Sequence, residues 1–208
     1  MRKCYTFLLI SLCLTLTALS QNTSLNLTGS NYVSPNIDIV DPNGDFTLEF
    51  WAFVPHSAVS GAPRQMVSQG ASDFKFTIGL LADTTIQIGN ALFYPGTGVK
   101  MPVDRWTHVA VYFNSSIGRA FLYLDGKVKA TVDGLIFNDD QPFRIGVQTD
   151  LTEPFIGMID ELKSWDGQRT QTQIRSDMFG TPNLSDNSLV AYYQMNEGSG
   201  INVTNSAA

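Results

Sequence analysis

The sequence predicts an antiparallel all-β domain with one short helix near its C-terminus. Short runs of alternating or β-branched residues recur between Gly, Pro, Asn and Asp clusters along most of the chain. A two-residue Asp125-Gly126 turn separates two such runs, a strong hairpin signal because both residue types tolerate positive φ. No helical periodicity of comparable strength appears; the stretch after Trp165 supplies a turn and one short helix.

The strands expected in order are 25–27, 32–33, 46–54, 65–68, 74–80, 85–88, 107–113, 119–124, 127–132, 143–145, 157–164 and 189–194. In "FTLEFWAFV", Phe46, Leu48, Phe50 and Ala52 share one face and Thr47, Glu49, Trp51 and Phe53 the other. Both faces carry large apolar groups, which suits a central strand covered on both sides. The stretch from Arg105 to Val132 reads as a three-stranded meander, with Asn114–Gly118 as its first connection and Asp125-Gly126 as its second. Thr170 followed by Gln173 fits a capping box, and Ile174 with Met178 gives that helix an apolar stripe. The segment "LVAYYQMNEGSG" reads as a last strand returning beside the N-terminal one; it either closes the domain or opens a further one in a longer surface protein, and closure is the reading preferred.

The first 20 residues have the form of a secretory signal peptide: Arg2 and Lys3, an apolar core from Phe7 to Leu16, then Ala18-Leu19-Ser20 as a small-x-small cleavage site. Residues 21–208 would form one extracellular domain. Both cysteines, Cys4 and Cys13, fall inside the leader, so neither a disulfide framework nor a cysteine nucleophile is expected in the mature chain. A net charge of −6 becomes more negative once Arg2 and Lys3 are removed; such a surface disfavours nucleic acid and anionic membrane and is compatible with calcium. Beyond the leader, no apolar run approaches the roughly 20 residues of a membrane span.

The order of "LNLTGSNYVSP", "FTLEFWAFVP", "MVSQG", "FKFTIGL", "DRWTHVAVYF", "FLYLDGKVKA", "PFRIG" and "FIGMIDELKSW" resembles the laminin G-like domains of the concanavalin A-like lectin and glucanase superfamily, which includes the pentraxins. The resemblance implies a two-sheet antiparallel jelly-roll β-sandwich, with one concave sheet available to ligands.

Relatives on that fold include glycoside hydrolases with an E-x-D-x-x-E strand, which places acids on one face. This chain lacks the motif, and Asp160 and Glu161, adjacent in a strand, are expected to point to opposite faces. No catalytic residue is therefore assigned; His108 reads as part of the scaffold. The resemblance implies a structural calcium at Asp160, which would make Asp160→Asn destabilising, and a second, pentraxin-like calcium loop offering Gln148, Asp150 and Glu153. Trp51, Trp106, Trp165, Tyr112 and Tyr123 lie in strand patterns that favour core packing, whereas Tyr94, in "NALFYPGTGV", reads as a loop residue able to stack on a sugar. Sequons place candidate glycosylation sites at Asn22, Asn26, Asn114, Asn183 and Asn202. The expected function is a secreted, non-enzymatic recognition or adhesion module that binds a glycan or an extracellular protein. A polysaccharide-active hydrolase or its accessory binding unit, and an architectural segment of a larger cell-surface protein, are the alternatives.

Overall fold

The computed structural model describes residues 23–35, 37–41, 43–59, 61–70, 75–89, 96–137, 141–198 and 202–207. The leader, Asn22 and Tyr94 lie outside the described residues. Chain order is β1 (Leu25–Thr28), β2 (Phe46–Phe53), a 3-10 turn (His56–Ala58), β3 (Arg64–Gln69), β4 (Phe76–Leu80), β5 (Thr85–Gly89), β6 (Gly96–Lys100), β7 (Trp106–Asn114), β8 (Arg119–Leu124), β9 (Lys127–Val132), β10 (Arg144–Ile145), β11 (Ile156–Asp166), α1 (Gln171–Asp177) and β12 (Leu189–Tyr193). Among the described residues these strands form a seven-stranded sheet, β1-β11-β2-β7-β8-β9 with β12 also on β11, and a five-stranded sheet, β10-β3-β4-β5-β6. The two face each other as the expected antiparallel β-sandwich.

Alternation places Phe46, Leu48, Phe50 and Ala52 of β2 in the core between the sheets, each 1% exposed or less. Phe46 packs edge-on against Phe76 of the opposite sheet, with ring centroids 5.1 Å apart, and beside Phe113 at 5.4 Å. Such aromatic pairs add about 0.5–1.5 kcal/mol beyond the area they bury, so this cluster ties one sheet to the other. β2 is central, as its two apolar faces require: β11 flanks it on one side and β7 on the other.

The Asp125-Gly126 turn has φ of 49° and 66°, the pair of positive values that a two-residue hairpin needs. Its Gly126 carbonyl accepts hydrogen bonds from Gln171 Nε2 (2.8 Å) and Arg175 Nε (3.0 Å), which docks α1 against the hairpin. Ile174 inserts beside Ala110, Tyr112 and Tyr123 on the outer face of the large sheet. The capping box forms: the Gln173 backbone N–H donates to Thr170 Oγ1, and the Thr170 N–H donates to Gln173 Oε1. Thr170→Ala is expected to cost about 1 kcal/mol, read as a lower thermal midpoint.

Three expectations about elements are corrected. Only Val33 of 32–33 pairs, through an isolated bridge to Ile145. β4 begins at Phe76. β6 was expected to be loop; its sequence, GTGVK, has two glycines and little β propensity, and pairing with β5 at the sheet edge supplies what propensity does not. β12 pairs along β11 from Leu162 to Trp165, while β1 pairs with the same edge from Ile156 to Ile159. The returning strand thus lies end to end with the N-terminal one and closes this edge.

Candidate functional site

Between those two pairings sits a fault in β11. Asp160 opposes Trp51 of β2 and Lys163 opposes Glu49, so Glu161 and Leu162 together face Phe50. This is a β-bulge, and Glu161 carries the positive φ, 52°, that accommodates the extra residue. Ile159 and Leu162, three apart, both reach the core, whereas strict alternation would have separated them. The expectation that Asp160 and Glu161 point to opposite faces is therefore overturned: both line one cavity on the outer face of the large sheet.

That cavity has a volume of about 480 Å³ and is walled by Trp51, Trp106, Phe179 and Tyr192, with Gln194 and Asn196 at its mouth. Trp106 is 36% exposed and Phe179 80% exposed, an unusual degree for such large apolar rings. The Trp51 indole N–H donates to the Met178 carbonyl at 3.0 Å, and its ring lies 5.8 Å from that of Phe179. Core packing, expected for all five strand aromatics, holds for Trp165, Tyr112 and Tyr123, which are buried, but not for Trp51 and Trp106. Trp51 and Trp106 extend from β2 and from the start of β7 and line the cavity instead.

The carboxylates differ in their surroundings. Glu161 Oε2 accepts from the Tyr192 hydroxyl at 2.7 Å and lies 3.3 Å from Lys163 Nζ, while its Oε1 has no partner among the described residues. Asp160 is 7% exposed; its Oδ1 accepts from the Glu161 backbone N–H at 2.9 Å and its Oδ2 is unpartnered among the described residues. Burial, reinforced by the Glu161 charge, pushes the Asp160 carboxyl up to about 6.

Beneath the cavity floor lies a buried polar layer. Lys163, 1% exposed, donates to the Asp177 carbonyl at 2.9 Å and stands 5.3 Å from the centre of the Tyr192 ring. Glu49 Oε1 accepts from the Trp165 indole N–H at 2.9 Å, and its Oε2 lies 3.5 Å from His108 Nε2. Desolvation raises Glu49 to about 7, against the opposing pull of Lys163, and lowers His108 to about 3, so the imidazole is neutral and the pair is not an ion pair at neutral pH. His108 thus has the scaffold position expected of it, packed 5.4 Å from Trp51.

The other expected ligands lie elsewhere. Gln148 and Asp150 do come together: Gln148 Nε2 donates to Thr152 Oγ1 at 2.9 Å and approaches Asp150 Oδ2 at 3.5 Å. Lys75 Nζ is 3.4 Å from the same Asp150 oxygen, and Asp150 Oδ1 accepts from the Thr152 backbone N–H. Calcium takes six to eight oxygen ligands. Asp150 is instead met by the Lys75 ammonium, the Gln148 amide and the Thr152 N–H and hydroxyl, a set of donors that does not fit the ion. Glu153 turns away to accept from Gln65 Nε2 at 2.6 Å. Asp160 lines the cavity beside the bulge, which no residue of this loop lines, and among the described residues no group of three His, Cys, Asp or Glu is placed to hold a metal ion.

Asn26, Asn183 and Asn202 are exposed, whereas Asn114 is half-buried and its amide donates to the Tyr112 hydroxyl at 3.0 Å. The other cavity-lining side chains, including Phe179, Gln194 and Asn196, were not anticipated. One signal for the bulge was present in the sequence: the i, i+3 spacing of Ile159 and Leu162 around an acidic pair.

Residues 27–175 match a laminin G-type family model described as the concanavalin A-like lectin/glucanases superfamily. The chain belongs to that superfamily. A search of curated proteins found no match. Among solved structures, the chain is similar to a candidate carbohydrate-binding protein of Bacteroides ovatus, with 18% identity, a TM-score of 0.71, and coverage of 88% of this chain and 55% of that one. It thus spans about half the length of that protein. It is also similar to domain 4 of a GH43 extracellular arabinanase from Geobacillus stearothermophilus, solved with arabinotriose (18% identity, TM-score 0.51, covering 74% of this chain and 86% of that one). A heptameric SAP-like pentraxin from Limulus polyphemus is a third likeness, at 13% identity and TM-score 0.50, covering 85% of this chain and 91% of the pentraxin. At these identities the likenesses establish the fold. Among the described residues no helix is long and apolar enough to cross a membrane.

Proposed function

We propose that this superfamily member is a non-enzymatic recognition module that binds a glycan in the cavity beside the β11 bulge. The observation that carries this reading is the wall of exposed aromatic rings, Trp106 and Phe179 with Trp51 behind, set against free carboxylate oxygens. Rings supply the apolar faces on which sugars stack, and acceptors fix hydroxyl or amino groups. A volume of about 480 Å³ lies within the range of small-ligand sites, roughly 300–1,000 Å³. The carbohydrate-binding assignment of the Bacteroides protein and the arabinotriose complex of the arabinanase domain support the same reading.

Asp160 and Glu161 do not make a hydrolase of it. Glycosidases set two carboxyl groups on either side of the scissile bond. Here both come from consecutive residues of one strand and share one wall, and Glu161 is held by Tyr192 and Lys163. Export through the N-terminal leader completes the proposal. The test is tryptophan fluorescence during titration with a panel of oligosaccharides, repeated on Trp106→Ala. Saturable quenching that weakens about fivefold in the variant is the expected result, since a lost aromatic stack is worth about 1 kcal/mol. Release of reducing ends from any panel member would replace the binding module with an enzyme.

A further inference from the structure

The cavity contains a feature that recognition of a neutral sugar does not require. Asp160 is more than nine-tenths buried, yet one of its two oxygens, Oδ2, has no hydrogen-bond partner among the described residues, and the side chain lines the cavity. That oxygen is not shut away from solvent, so it opens into the cavity as an acceptor that a bound donor can complete in place of water. Glu161 Oε1 is likewise open. Three donors around these oxygens are committed elsewhere: the Tyr192 hydroxyl to Glu161 Oε2, the Trp51 indole N–H to Met178 and the Lys163 ammonium to Asp177 and Glu161 Oε2.

We infer that the cavity is built for a protonated amine and, resting on the glycan reading above, that its ligand class is glycans bearing free amino sugars. An ammonium at the mouth would complete Asp160 Oδ2 and Glu161 Oε1 with charge-assisted hydrogen bonds while the faces of Trp51, Trp106 and Phe179 offer cation–π contacts. A sugar ring carrying the amine at one carbon keeps its apolar face for stacking. The local charge agrees. The charged groups acting on Asp160 are Glu161 and Lys163 of β11; around Lys163 lie Glu49 from β2, beside neutral His108 of β7, and Asp177 at the end of α1, which Arg169 neutralises at 2.7 Å. β1 and β12 carry no charged residue. One buried lysine thus stands against at least two carboxylates, and the chain as a whole is at −6, which attracts a cation and repels uronic, sulfated or sialylated sugars. A metal ion is the weaker occupant, because three of the walls are hydrocarbon rings rather than oxygen donors.

The experiment is calorimetric titration of the full chain at about pH 7, where amine and Asp160 are both substantially charged, with a glucosamine tetramer and with the N-acetylated tetramer of the same linkage. Expected is a preference of about tenfold for the free amine, erased in Asp160→Asn, which keeps the side-chain shape and removes the charge. Equal affinity for the two oligomers would overturn the amine inference and leave the glycan reading standing. Binding of neither, with no response from Trp106, would remove both. Competition by calcium alone, at the same site and with the same Asp160 dependence, would replace the amine with a metal. Tighter binding of a trimethyl-lysine peptide than of either sugar would move the cation from glycan to protein and overturn the sugar class.

Discussion

Lys163→Met is expected to destabilise the protein by about 3–5 kcal/mol, the loss usual when one partner of a buried charge pair is removed and the other stays. Met fills nearly the same volume, so the effect isolates charge and hydrogen bonding from packing. Lys163 is 1% exposed and serves three roles at once: it donates to the Asp177 carbonyl where α1 ends, sits 3.3 Å from Glu161 and lies over Tyr192. It also opposes the rise of both Glu49 and Asp160, which desolvation drives upward. Without it these carboxyls would hold their protons to higher pH, and the cost would fall as acid neutralises them. Urea denaturation should therefore show the full loss near pH 8 and a smaller one near pH 5. A loss independent of pH would mean that the Asp177 hydrogen bond, not the carboxylates, dominates.

This layer shows where sequence reading succeeds and where it stops. Alternation in "FTLEFWAFV" placed Glu49 and Trp51 on one face and Phe50 on the other, and the structure agrees because β2 is regular along its whole length. The Asp125-Gly126 hairpin and the Thr170 cap were legible for the same reason: each is decided by a few neighbouring residues. The cavity was not, because it depends on one extra residue. Period-two reasoning applied across "MIDEL" assigned Glu161 to the wrong face, and a single bulge reverses that assignment without changing the fold. The rest of the site is assembled from distant chain segments: Trp106 from β7, Phe179 after α1, and Gln194 and Asn196 after β12. Their proximity is set by β12 returning along β11 and by α1 docking on the Asp125-Gly126 turn, neither of which leaves a local pattern. Gln148 and Asp150 illustrate the converse: loop composition suggested a metal, but Lys75, 75 positions from Asp150 in the chain, is the cation that meets the carboxylate.

Asp160→Asn is expected to raise the stability of the ligand-free protein by about 2 kcal/mol at neutral pH, the opposite sign from that of a structural calcium ligand. The folded-state value of about 6 stands above the ordinary 3.8. For a carboxyl raised on folding, the penalty is absent below the unfolded value, grows as the unfolded chain ionises first, and is complete once pH passes the folded value. About two pH units at 1.36 kcal/mol each set an upper bound near 3 kcal/mol, reduced because Asp160 borders an open cavity. The gain in melting temperature should thus be full above about pH 6 and vanish near pH 4, measurable by scanning calorimetry across that window. If calcium bridges Asp160 to backbone carbonyls, Asn should instead lower the midpoint, and chelator should lower it in the parent protein alone. A variant that is more stable yet loses its preference for amines would link the two findings: desolvation of the Asp160 carboxylate is a stability cost of the empty site, and a bound ammonium would offset it.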